Sequence, residues 1–314
     1  MRDKDIVYHY CSIETFMSII NYKTIRMSDC SKTNDYMETK WIASLIQTVL
    51  LDIIMSNKDF CNKYQISELK KQIILDAVNT TIENIFYKNS RMMYTFIACF
   101  SENGDLLSQW RGYANDGKGV AIGFDKKILQ SFDTGGYNYA FKKVIYDEEE
   151  QREYIYNNVS YLIEGYSKVE EDEEKKEKYF RKFLMDIRLR IAMLRNESPI
   201  FKNIAFEEEK EWRLILNNHV SNYNYTIGGI DEEFLDEVDY ANGFKRKPLQ
   251  FRAVADNLVA YIDMNFEKIK ETFIKQICLG PKCKINEMDM RIFLEKYGYS
   301  ESNIEIIKSK ATYR

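Results

Sequence analysis

Only three prolines, Pro199, Pro248 and Pro281, interrupt the 314 residues. Proline lacks a backbone donor and cannot continue a helix or sit in a central strand, so a chain this poor in it runs long regular elements. Glycine is also sparse, at 13, and no Gly/Ser-rich or Pro-rich linker separates one part from another. The sequence therefore reads as one domain, 1–314, built from helices and strands in direct succession.

The opening alternates. Ile6-Val7-Tyr8-His9-Tyr10 is a short β-rich run. Ser12 is placed as an N-cap, with Glu14 in the first turn of a helix reaching about Tyr22. Thr24 to Ser28 is the next strand. From Tyr36 to about Asn57, Trp41, Ile42, Leu45, Val49 and Ile53 recur at helical steps, and Ser67 caps a second amphipathic helix. These two form a helical-hairpin insertion at about 36–88. Tyr94–Phe100 and Gly119–Phe124 are apolar enough for central strands, with a short helix over Leu106–Tyr113 between them. A second, mainly helical insertion covers about 148–197 and contains the charge run Glu170–Lys176. Leu258–Met264 and Phe273–Leu279 are strands, and Ile285–Tyr297 is a helix. Irregular alternation of this kind predicts an α+β fold, with a mixed, mainly antiparallel central sheet and helical insertions.

Hydrophobic residues make up 45%, enough for a packed core, and the net charge is −4, so any polyanion contact must come from a local patch. The densest basic cluster is Lys245-Arg246-Lys247 with Arg252. No uncharged apolar run reaches transmembrane length, and Met1–Asp5 carries no signal-peptide core. Six scattered cysteines without a CxxC read as reduced thiols, so a cytoplasmic protein without membrane contact is expected.

The most chemically loaded stretch is Phe206–Leu216. Trp212, Leu214 and Leu216 alternate with Glu211, Arg213 and Ile215, and strand alternation extended backwards places Glu209, Glu211 and Arg213 on one face, roughly 6–7 Å apart per step. Two neighbouring carboxylates raise the pKa of at least one, which suits a base. Competing chemistries are poorly served. With two histidines, His9 and His219, and no HExxH, a zinc site has no ligand set. There is no GxxxxGK[ST], GxGxxG or GxSxG. A magnesium site made from Asp and Glu, serving a hydrolase or nuclease, stays open.

Two resemblances follow. His9, Ser28 and Glu211, in that order on predicted strands, resemble the ADP-ribosyltransferase superfamily. There a His or Arg on the first strand holds the NAD adenosine ribose, a hydroxyl residue on a following strand lines the nicotinamide pocket, and a late Glu in an E-x-E context binds the nicotinamide ribose. The series Asn34-Asp35-x-x-Glu38, Cys99-Phe100-Ser101-Glu102, Trp110-Arg111-x-Tyr113, Lys118-Gly119-Val120-x-x-Gly123-Phe124, Phe206-x-x-Glu209-x-Glu211-Trp212-Arg213 and Leu279-Gly280-Pro281 is similar to a large bacterial family of domain-of-unknown-function proteins. That family looks like a divergent branch of the same superfamily, with some members encoded near phage-defence or toxin–antitoxin genes. Its commoner pattern has Pro after Asn-Asp, where this chain has Tyr36.

The resemblance implies an ADP-ribosyltransferase-like sheet and an enzyme that consumes NAD, either transferring ADP-ribose to a protein or nucleic acid or hydrolysing the glycosidic bond. Glu211 would hold the ribose and Glu209 would serve the acceptor. His9 with Tyr10, Ser28, Tyr36, Trp110, Arg111, Tyr113 and Arg213 would bind NAD, the rings by stacking and either arginine at the pyrophosphate. An antitoxin or defence-system partner would accompany a toxin or defence effector. The alternative is a non-catalytic sensor or partner-binding protein of such a system, with the acidic strand as its contact face.

Overall fold

The computed structural model describes residues 5–32, 36–88, 95–132, 139–168, 173–217, 238–239, 243–300 and 303–313, with side chains for all but 36–40, 88, 173–174 and 238–239. The Asn34-Asp35 motif, residues 169–172 of the charge run and His219 lie outside these residues. The described residues hold twelve strands: β1 (Ile6–Cys11), β2 (Thr24–Asp29), β3 (Thr95–Ser101), β4 (Val120–Asp125), β5 (Tyr139–Lys143), β6 (Glu211–Asn217), β7 (Val238–Asp239), β8 (Lys245–Arg246), β9 (Gln250–Val254), β10 (Asn257–Asn265), β11 (Ile274–Leu279) and β12 (Glu305–Lys308). The α-helices are α1 (Ile13–Tyr22), α2 (Tyr36–Ser56), α3 (Lys58–Lys63), α4 (Glu68–Ile82), α5 (Leu107–Tyr113), α6 (Lys126–Gln130), α7 (Glu148–Lys168), α8 (Glu173–Glu197), α9 (Lys270–Phe273) and α10 (Glu287–Lys296). The α+β class is as the sequence predicts.

The chain divides into two compact units, one of residues 1–33, 94–144 and 205–314, the other of 34–93 and 145–204. The first holds the whole sheet. Its strand order is β12-β11-β4-β1-β3-β2-β10-β8-β7, with β6 on β3, β5 on β6 and β9 on β10. Every pairing is antiparallel except β11 with β12, so the sheet is open, mixed and mostly antiparallel.

β3 is the branch point. β6 pairs along its whole length, from Thr95↔Asn217 to Ser101↔Glu211. Its other edge is shared, with β1 attached at Tyr8↔Ser101 and β2 at Ser28↔Ile97 and Asp29↔Phe96. Two strands cannot occupy one edge at the same height, so β1 and β2 part there. Alternation then sorts the side chains. Phe96, Ala98, Phe100, Leu214 and Leu216 enter the main core with Val7, Ile122, Phe124, Phe141, Ile262 and Ile277. Ile97, Cys99, Ser101, Glu211, Arg213 and Ser28 fall on the other face by register. That face is closed at one end by α5, whose fully buried Trp110 clusters with Tyr8, Tyr10, Ala121 and Cys278.

Local chemistry accounts for the helix starts. The Ser12 side chain accepts from the Thr15 N–H at the head of α1, and Ser67 does the same for Lys70 at α4. After α5 the backbone approaches itself too closely for a side chain. A Cβ on Gly119 would lie 2.1 Å from the Cys11 carbonyl oxygen, and one on Gly280 would lie 2.4 Å from that of Gly117.

The second unit is helical. Its core is aromatic, with Phe60 and Phe183 ring centroids 4.5 Å apart and Tyr166 edge-on to Phe183 at 5.4 Å. A short helix, α3, interrupts the expected hairpin between α2 and α4; Asn57 caps it by accepting from the Phe60 N–H at 2.8 Å. No helix among the described residues is long and apolar enough to cross a membrane.

Candidate functional site

Glu211 and Arg213 begin β6 and point to its polar face. The guanidinium meets the carboxylate squarely: Nε–H donates to Oε1 at 2.8 Å and Nη2–H to Oε2 at 3.0 Å. Both residues are buried, at 5% and 4% exposure. Removing two charges from water costs several kcal/mol per ion, and only close, well-aligned pairing offsets it. What Glu211 faces is thus a guanidinium, so the like-charge coupling expected between Glu209 and Glu211 is not the main feature of its surroundings.

Glu209 is not on the strand. It ends a 3₁₀ turn, Ile204–Glu209, and Lys210 between the two glutamates has φ 43°, in the left-handed region. That conformation costs a non-glycine residue about 1–2 kcal/mol. The end of β3 holds it in place, since the Ser101 Oγ donates to the Glu209 carbonyl at 2.7 Å and the Glu102 N–H to the Lys210 carbonyl at 3.1 Å. The kink corrects the expectation of three charges in step along one strand face. Glu209 is nevertheless buried, at 8% exposure, and one of its carboxylate oxygens accepts from the Tyr113 hydroxyl at 3.4 Å.

The other expected residues are placed as follows. His9 sits where β1 leaves β3, with its Nδ1–H donating to the Cys99 carbonyl at 2.9 Å and its ring 5.9 Å from Phe100. In register it is Tyr8, not His9, that lines up with Ser101 and Glu211. Burial lowers the His9 pKa, against the smaller raising influence of the Cys99 hydrogen bond, so the neutral imidazole is favoured. Ser28 is on the polar face opposite Ile97, four residues along β3 from Ser101. Along the polar face of Ile97–Ser101, Ser28 therefore lies at one edge and Glu211 and Arg213 at the other, whereas His9, opposite Ile122 and against Phe100, falls on the apolar face.

Three aromatic expectations change. Trp110 has no exposed surface; its ring is edge-on to Tyr10 at 4.7 Å and its Nε1–H donates to Asp105 at 2.7 Å, so it is a core residue with no face open to a ligand. Tyr10 is buried too, donating to the Asn103 carbonyl at 2.7 Å and accepting from the Leu106 N–H at 3.0 Å, and burial raises its pKa. Tyr113 keeps an exposed ring but its hydroxyl turns to Glu209. Arg111 lies 5.9 Å from the Tyr313 ring. Tyr36 opens α2, and its side chain is outside the described set.

Sequence reasoning attached no role to Ser101, Glu102 or Asp105. Glu102 accepts from the Trp212 Nε1–H at 2.7 Å, and Asp105 accepts from Trp110, Ser309 and the Lys310 N–H. Burial pushes on Asp105 in the opposite sense, but the Ser309 and Trp110 bonds hold its carboxyl below the usual range. The signal was the Phe100-Ser101-Glu102 motif, which ends β3 beside the start of β6. Cysteine chemistry finds no support here: burial raises the pKa of Cys11 and pushes that of Cys278 up to about 12, keeping both as thiols. Among the described residues, no group of three or more His, Cys, Asp or Glu is placed to hold a metal ion.

A family model described as "Protein of unknown function (DUF2971)" matches residues 109–214. The match begins at α5 and ends inside β6, taking in Tyr113, Glu209, Glu211 and Arg213 and leaving out His9 and Ser28. No curated protein and no solved structure matches the chain.

Proposed function

We propose that the protein is an NAD-consuming enzyme, an ADP-ribosyltransferase or NAD glycohydrolase, with Glu211 as its central carboxylate. The observation that carries this reading is the buried Glu211–Arg213 pair beside the branched edge of β3. A bidentate guanidinium does not by itself exhaust a carboxylate's lone pairs, and a ribose 2′-hydroxyl is a donor that such a carboxylate accepts. Arg213 keeps the carboxylate charged. A fixed negative charge facing C1′ stabilises the oxocarbenium-like ribosyl cation formed as nicotinamide departs. Water or an acceptor nucleophile then bonds to C1′ and gives up a proton, so hydrolysis yields nicotinamide, ADP-ribose and H⁺. Glu209, held by Tyr113 and Ser101, serves the acceptor, and Ser28 binds NAD from the other edge of β3. The acceptor would be a protein or nucleic acid, and the setting a toxin or phage-defence effector with an antitoxin-type partner.

The purified chain incubated with NAD is expected to release nicotinamide or to label an added macromolecule, and Glu211→Gln is expected to stop both. Intact NAD in the presence of protein, RNA and DNA acceptors sinks the proposal. A second reading is favoured by the same ion pair, because a bidentate buried pair also serves purely as structure. In that reading the protein is a non-catalytic sensor or partner-binding module, and Glu211→Gln lowers stability with no change in NAD.

A further inference from the structure

The basic cluster Lys245-Arg246-Lys247 with Arg252 does not survive folding as one patch. Arg246 is 1% exposed, on β8 opposite Met264, while Lys245 and Lys247 are half-buried. Arg252 is different. It lies on exposed β9, opposite Val259 of β10, two residues along β10 from the Tyr261↔Ser28 pair. Alternation puts it on the polar face, and its Nη2 reaches the Ser28 Oγ at 3.4 Å. No carboxylate among the described residues pairs with it. Its neighbour on that face, Arg26, is by contrast neutralised: Nε and Nη2 donate to Asp263 at 2.9 and 3.1 Å, and the guanidinium covers the Tyr261 ring at 3.8 Å.

We infer that Arg252, with Ser28 beneath it, is the phosphate anchor of the site and takes the diphosphate of the dinucleotide. Three observations converge. Of the arginines expected at the pyrophosphate, Arg213 is committed to Glu211, and Arg111 lies exposed on α5 with the Tyr313 ring 5.9 Å away. Arg252 is a planar donor fork, exposed, and restrained by one long bond to a hydroxyl, which suits bidentate recognition of phosphate oxygens. It also shares the sheet face of Glu211. Ser28 and Glu211 lie on strands either side of β3 and four residues apart along it, roughly 15–17 Å by strand spacing and rise, a separation that an extended dinucleotide bridges. The inference takes its ligand from the NAD reading.

The test uses the full chain and two readouts. Inorganic pyrophosphate titrated calorimetrically into wild type, Arg252→Gln and Arg252→Lys reads the anion site without any turnover. Arg252→Gln is expected to weaken binding roughly ten- to a hundredfold, as for one charge-assisted contact. Arg252→Lys should retain part of it, and the wild-type affinity should fall with salt. Steady-state kinetics then compare NAD with nicotinamide riboside, which carries no phosphate. The KM for NAD should rise by the same factor with kcat within about twofold, and the riboside KM should not move. Glu211→Gln should lose turnover yet still bind pyrophosphate. Should the wild type leave NAD untouched, the proposed function falls and the pyrophosphate titration alone decides this inference. Absent pyrophosphate binding, equal binding by Arg252→Gln, or an equal KM rise for the riboside overturns it.

Discussion

The two faces of the β3–β6 pair are made from alternate residues of the same strands, yet they put burial to opposite uses. One face is apolar throughout, with Phe100 edge-on to Phe124 and Phe141 at 5.8 Å each. The other buries Glu211 and Arg213 as completely as hydrophobic residues and adds Ser101 to them. Apolar burial stabilises in proportion to area and tolerates similar shapes. Buried charge is stable only while each partner stays in place. The apolar face holds the sheet, and the polar face holds an ion pair out of water.

The largest expected effect comes from making that contrast fail on each side. Phe100→Ala should cost about 3–5 kcal/mol by cavity formation. Arg213→Met should cost about as much, because Glu211 then stays buried without its partner. The double variant Glu211→Leu/Arg213→Met separates the faces. With both charges replaced by apolar groups, denaturant unfolding should recover most of the single-variant loss, while no second change is expected to rescue Phe100→Ala by removing charge. A double variant as unstable as Arg213→Met alone would mean that the pair is bound into a wider network.

Next in size is Asp105→Ala, at the end of the polar face where α5 closes it. It strips an acceptor from the buried Trp110 N–H and from the Ser309–Lys310 segment. A loss of about 1–3 kcal/mol is expected, read by denaturation with tryptophan fluorescence. The Asp105 carboxyl is held below its ordinary value of 3.8, so its contribution is whole above that pH and is lost as the pH falls through the lowered folded value.

Much of this arrangement was legible in the sequence. Short β-rich or apolar runs marked β1, β2, β3, β4 and β10, and the Ser12 and Ser67 caps marked two helix starts, because both signals act within a few residues. The position of Glu209 was hidden, since Lys210 is not a residue type that announces a left-handed backbone; only the bonds from Ser101 and Glu102, more than a hundred positions away, hold it there. Trp110 and Arg246 were hidden for a related reason. Composition shows a ring and a charge, and only the sheet decides that both are enclosed. Arg252 became informative when pairing through β10 brought it over Ser28.

His9 gives a smaller, pH-dependent effect at the parting of β1 and β2. A base whose folded pKa is lowered binds its proton more readily in the unfolded chain, so its penalty starts as the pH drops below the ordinary 6.5. Stability is therefore whole above 6.5 and lost as the pH falls through the lowered folded value. His9→Gln should flatten melting temperature against pH between about 7.5 and 5. An unchanged pH slope would assign the acid sensitivity to other groups.

The smallest change in stability should come from Tyr113→Phe, and it bears most directly on why the polar face exists. It removes the hydrogen bond to Glu209, a long one of 3.4 Å from a half-exposed ring. The loss should stay under about 1 kcal/mol, because the ring keeps its packing and a bond of that length is weak. If Glu209 orients or deprotonates an acceptor, releasing it should lower transfer to a macromolecule more than it lowers NAD hydrolysis, which needs only water. Labelled acceptor and free nicotinamide measured in one reaction give that ratio. A fall in transfer at unchanged melting temperature separates the two glutamates by role, Glu211 serving the cation and Glu209 the nucleophile. Equal loss of both products, or a large drop in stability, would make Tyr113 and Glu209 part of the frame.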